Sequence, residues 1–185
     1  MMTEISLNIL DIAENSVKAK ASLIEISIDA DFSSNILSVI IKDNGCGTTK
    51  EQVTNVTDPF YTTRTTRKVG LGVPFYKAAA ESTGGSFSIT SSEGVGTAVI
   101  ANFVLDNIDR MPMGDICATI HTLIVMHSEI DFLFNYKVND NSFVLDTKEF
   151  RKIWGDIPFN SPEVSSYIKE YLRENISFVN GKIII

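Results

Sequence analysis

Two hydrophobic periods alternate along the first 105 residues, and their order leaves few folds open. Residues 3–19 place Ile5, Ile9, Ile12, Ala13 and Val17 at helical spacing, with Thr3 positioned to cap the helix. The segment IEISIDA, residues 24–30, switches to a period of two, the mark of a half-buried strand. ILSVIIKD, residues 36–43, is more continuously apolar and predicts a central strand that ends at Asp43 in a glycine-rich turn. Residues 48–69 are polar, rich in threonine and basic side chains, and longer than an ordinary connection. A second helix is predicted over 72–83, stopped by Gly84 and Gly85. SFSITSS and GTAVIANFVL then predict a hairpin closed by Glu93, Gly94, Val95 and Gly96. Helix, two strands, loop, helix and two strands together predict an α/β fold, a two-layer α/β sandwich with helices on one face of a mixed sheet.

The 185 residues allow one domain and an appendage, set here at 1–105 and 106–185, and a chain this long buries roughly 70 % of its unfolded surface without a disulfide or metal staple. The second region predicts a small appended α/β segment. It comprises a helix over 112–127, a hairpin through Asn139, Asp140 and Asn141, a short helix after Thr147, and a helix launched by Ser161 and Pro162. The final ISFVNGKIII reads as a hairpin around its Asn-Gly pair. Trp154, the single tryptophan, is expected to anchor this region.

A net charge of -7 argues against a nucleic-acid partner, because neutralising phosphates needs a clustered basic surface. Cys46 and Cys117 are far apart and form no CxxC pair, so neither a disulfide framework nor a zinc site is indicated. No apolar run reaches the length of a membrane span, and the first residues lack the features of a signal peptide. The expectation is a cytoplasmic protein with no membrane partner.

Three clusters can carry chemistry. On the first helix Asp11, Glu14, Asn15 and Lys18 share one face, where oxygen and ammonium groups could hold magnesium and phosphate; a solvated face with a Glu14–Lys18 ion pair is the alternative. After the second strand comes Asp43-Asn44-Gly45-Cys46-Gly47. Its carboxylate can accept from an exocyclic amine while the glycines let a flat ring approach, although the same residues also make an ordinary strand-ending turn. Finally, Gly70-Leu71-Gly72 opens a helix behind Arg64, Arg67 and Lys68, a ready phosphate site that matches neither a Walker loop nor a dinucleotide fingerprint.

The order of these clusters, with DPFYTT, VGLGVPFYKAAAESTGG and EGVGTAV between and after them, resembles the GHKL ATPase superfamily, whose Bergerat fold serves histidine kinases, anti-sigma-factor kinases, mismatch-repair ATPases and gyrase. The resemblance spans about residues 5–105. It implies that Asn15 binds magnesium, Lys18 contacts phosphate, and Asp43 reads the adenine amine above Gly45 and Gly47. Gly70, Leu71 and Gly72 would lie at the phosphates, Phe60 would be the aromatic of the loop motif, and Thr97 would join Asp43, often through water. Asp11 stands where many hydrolysing members carry glutamate, and a catalytic group set back by about 1 Å loses on the order of a hundredfold in rate. Neither His121 nor His127 has the acidic neighbour of a histidine-kinase phosphoacceptor.

The resemblance implies a magnesium-dependent, ATP- and ADP-binding regulatory protein with weak or partner-dependent ATPase activity, similar to a stand-alone histidine-kinase-type ATPase domain. The alternatives are an anti-sigma-type serine/threonine kinase and a nucleotide-sensing module without catalysis. The strand and helix that usually precede the asparagine helix in the kinase branches do not stand in the ten residues before it. The carboxyl-terminal region, a homodimer or another protein partner is expected to complete the sandwich.

Overall fold

The computed structural model describes residues 3–49, 51–53, 72–155, 157–181, 183 and 185. Its elements are α1 (Ile5–Lys18), β1 (Leu23–Asp31), β2 (Ile36–Asp43), α2 (Gly72–Ser82), β3 (Ser86–Ser92), β4 (Gly96–Val104), α3 (Ile116–Met126), β5 (Asp131–Val138), β6 (Asn141–Asp146), α4 (Thr147–Trp154) and α5 (Pro162–Asn180). The strands form one mixed sheet in the order β3-β4-β2-β1-β5-β6. All neighbours are antiparallel except β1 and β5, which run parallel.

Period-two patterning decides which face of this sheet is covered. Ile26 lies between Ile41 of β2 and Phe134 of β5, and Ile28 between Val39 and Tyr136, all within the core. On the opposite face the same strands carry Glu25, Ser27, Asp29, Lys42, Asn135 and Lys137, none of them buried. Among the described residues the helices therefore pack on one face, as the sequence predicted. Residues 106–185 continue that layer and that sheet: β5 covers the open edge of β1, and Phe132, Phe134 and Tyr136 join its isoleucines in a single cluster.

Three local expectations give way to tertiary contacts. Helix α1 is preceded by Glu4 rather than capped by Thr3, and Glu4 makes no side-chain cap bond. Its first N–H groups are satisfied instead by the carbonyls of Pro112 (3.0 Å from Ile5 N) and Met113 (2.8 Å from Ser6 N). Helix α3 begins at Ile116, later than predicted, because Asp115 caps it through Ala118 N–H and Gly114 just before sits at φ +76°. The predicted terminal hairpin is a helix: ISFVN forms the end of α5. Val164, Ile168, Leu172, Ile176 and Val179 make a buried helical stripe along that element, and burying it outweighs the local Asn-Gly turn preference. Gly181, at φ +55°, then ends the helix by donating to Ser177 O. Trp154 packs against Phe150 and Tyr167, as expected of an anchor.

Candidate functional site

The site is organised by the last residue of β2. Asp43 Oδ1 accepts the backbone N–H of Gly45 at 2.9 Å and of Thr97 at 3.2 Å. Asp43 Oδ2 accepts the Ser16 hydroxyl at 2.6 Å. A carboxylate offers about four lone-pair positions, so three are filled from three different segments and one remains, on Oδ2. The Thr97 bond follows from register, since Asp43 and Thr97 are direct partners across β2 and β4. It is the backbone of Thr97, not its hydroxyl, that meets the aspartate. The hydroxyl instead lies 2.9 Å from Ser91 Oγ, which donates to Gly96 O and accepts Thr48 N–H.

Protein packing gives the loop glycines their first reason. A Cβ on Gly45 would come within 2.7 Å of Ala19 O, at the end of α1. Gly47, at φ +62°, would drive one to 1.9 Å from Ser92 O, a backbone atom that cannot yield. The turn is sewn down on both sides: Cys46 N–H donates to Ala19 O at 2.8 Å, and Cys46 O accepts Gly94 N–H at 2.8 Å. Asn44 is structural as well, its side-chain oxygen accepting the N–H groups of Ser22 and Leu23 at the start of β1.

Asp11 is brought to the start of α2. A Cβ on Gly72 would fall 1.6 Å from Asp11 Oδ2, so a side chain there would displace the carboxylate from where it lies. Asn15 and Lys18 stand exposed on the same face of α1. The Glu14–Lys18 ion pair of the alternative reading is absent among the described residues; Glu14 Oε1 instead meets His127 Nε2 at 2.8 Å, linking α1 to the end of α3. Phe60, Gly70 and Leu71, with Arg64, Arg67 and Lys68, lie outside the described residues.

The model of the histidine kinase-, DNA gyrase B- and HSP90-like ATPase family matches residues 3–108, more than half of the chain. The chain belongs to this family. Its GHKL-type fold extends beyond the match. The MutL ATPase domain of Aquifex aeolicus, solved with ADP, superposes with a TM-score of 0.50 at 14 % identity, over 83 % of this chain and 70 % of that one. The N-terminal domain of a DNA repair protein does so with a TM-score of 0.54 at 17 % identity, over 97 % of this chain and 57 % of that one. At such identities the likeness is one of fold. Sequence relatives of the GHKL domain include a sensor-like histidine kinase of Rhizobium meliloti, 31 % identical over 86 residues, covering 44 % of this chain and 16 % of the relative. An NtrY-like sensor histidine kinase of Rickettsia conorii is 29 % identical over 109 residues, covering 58 % of this chain and 18 % of the relative. The chain thus spans less than a fifth of the length of these sensors.

Within this GHKL domain the structure adds one residue that sequence reasoning passed over. Ser16 is 4 % exposed and continues the stripe of Ile9, Ile12 and Ala13. The usable signal was a hydroxyl on an otherwise apolar helical face, because a buried donor must find a partner.

Proposed function

We propose that this GHKL domain binds magnesium-ATP, with the adenine at Asp43 and the phosphates between α1 and the start of α2. The observation that carries the reading is the Asp43 carboxylate, fixed by Ser16, Gly45 and Thr97 with one acceptor position left. That position suits the amine of adenine. Guanine presents a carbonyl there, which would set acceptor against acceptor in a partly buried site.

Magnesium fits the residues present. Asn15 and Asp11 offer oxygen atoms one turn apart on an accessible helix face, and among the described residues no cluster of three His, Cys, Asp or Glu could hold a metal without help. Asn15 would be its protein ligand and phosphate oxygens the others; when bound, the ion neutralises charge on the phosphates. Lys18, one turn further along α1, adds a cation to that face. Asp11 is a carboxylate held against the start of α2, and it orients or deprotonates the attacking water. Its short side chain supports weak intrinsic hydrolysis that a protein partner could raise, in a regulatory role like that of the sensors it resembles.

Calorimetry with magnesium present tests the reading: ATP and ADP bind, GTP binds at least tenfold more weakly, and Asp43→Ala loses most of the affinity. Equal binding of GTP and ATP would overturn the adenine assignment. Labelled ATP then separates the activities, since hydrolysis releases phosphate whereas kinase action labels a protein.

A further inference from the structure

A cavity of about 480 Å³ lies between the first turn of α3 and one side of α5, a size typical of small-molecule sites. It shares no residue with the nucleotide site around Asp11, Asn15, Asp43, Gly72 and Thr97. Along α5, Lys169, Arg173, Ile176 and Asn180 follow one another at helical spacing and line one wall. Cys117 and Ala118 line the other, with Ile183 from the chain beyond α5.

The wall is divided in character. Lys169 and Arg173 put two cations at one end, and Cys117 Sγ lies 3.7 Å from Lys169 O, so that end adjoins the start of α3 with its positive helix dipole. Ala118, Ile176 and Ile183 supply apolar surface beside it. The lining carboxylate, Asp115, is engaged by Ala118 N–H at 2.8 Å and makes no ion pair with either cation among the described residues. Glu170 reaches Arg173 only at 3.7 Å, and both side chains are more than half exposed, a pairing that contributes little and leaves the guanidinium available. Burial pushes the Cys117 thiol up, Asp115 and Glu170 add to the shift, and Arg173 and Lys169 oppose it, so the thiol stays protonated beside the two cations.

We propose that this cavity is a second ligand site, for a small organic anion with an apolar body, its charged head at Lys169 and Arg173 and its body on Ala118, Ile176 and Ile183. The site would give the chain a small-molecule input separate from nucleotide.

The test is an amide NMR titration of the full chain with octanoate, with octanol and inorganic phosphate as the uncharged and bodiless comparisons. Octanoate is expected to shift Cys117, Ala118, Arg173 and Ser177 in a saturable way, at least tenfold more tightly than octanol or phosphate. The double variant Lys169→Ser, Arg173→Ser changes exposed positions only, so it should keep the fold by circular dichroism and lose at least tenfold in octanoate affinity. Absence of saturable shifts at millimolar octanoate, equal binding of octanol, or undiminished binding by the double variant would each overturn the proposal. Displacement of octanoate by magnesium-ATP would overturn the separateness of the two sites; a failure of ATP to bind at all would count against the nucleotide reading and leave the octanoate result standing.

Discussion

Replacing Ser16 by alanine removes one of the three donors that hold Asp43 and changes almost nothing else. Ser16 is 4 % exposed, and its hydroxyl donates to Asp43 Oδ2 at 2.6 Å. A hydrogen bond to a charged group contributes about 1.5–3 kcal/mol. For a domain of this size a loss of ~2 kcal/mol lowers the melting temperature by ~4–8 °C. The same change should weaken ATP binding. Gly45 and Thr97 both grip Oδ1, so without Ser16 the carboxylate can swing about that anchor and carry Oδ2 away from the adenine amine. A misalignment that costs about 1.4 kcal/mol reads as a tenfold rise in Kd. Thermal denaturation and ATP calorimetry on the variant give both numbers. A melting temperature within a degree of the parent together with a Kd within about twofold would refute the reasoning and show that Gly45 and Thr97 hold Asp43 by themselves.

Asp11→Asn should abolish hydrolysis with ATP affinity nearly unchanged, and an unaltered rate would remove Asp11 from the mechanism. Gly72→Ala should depress turnover, because its Cβ would sit 1.6 Å from Asp11 Oδ2 and push the carboxylate aside, while stability should change little; full activity would contradict the contact. A chain ended at Asn107 strips β5 from β1 and removes Phe132, Phe134 and Tyr136 from the core, each contributing roughly 2–3 kcal/mol of burial. It should aggregate or fail to melt cooperatively, and a well-folded product would show that the first 107 residues close their own core. Burial raises the phenol of Tyr76, and it pushes that of Tyr136 up to about 12. The folded state therefore favours the protonated phenols, and their stabilisation is complete below about pH 10, the ordinary tyrosine range, and is lost as pH rises toward 12. Tyrosinate absorbance should show two of the five tyrosines ionising only as circular dichroism is lost; all five titrating near pH 10 in an intact fold would contradict it.

Local pattern was enough to determine α1, α2, the strands β1 to β4 and their turn, and the hairpin of β5 and β6, because in each the hydrophobic period and the turn residues agree. The position of the aspartate at the end of β2 and of the glycines after it was also legible, since an apolar run that stops at Asp-Asn-Gly marks the strand end locally. Where local and distant forces compete, the sequence misleads. Asn180-Gly181 favours a turn, but five buried residues along α5 make the helix the better solution, and Thr3 can cap α1 only if Pro112 and Met113 do not arrive to take its N–H groups. Only the tertiary structure decided which groups meet across long stretches of chain. It brought Ser16 to Asp43, 27 residues away, and His127 to Glu14, 113 residues away, and it set β5 parallel beside β1. The physical reason is range. Helical and strand periods record which side of an element is buried, but a hydrogen bond or ion pair between elements depends on register and packing, which no neighbouring residue encodes.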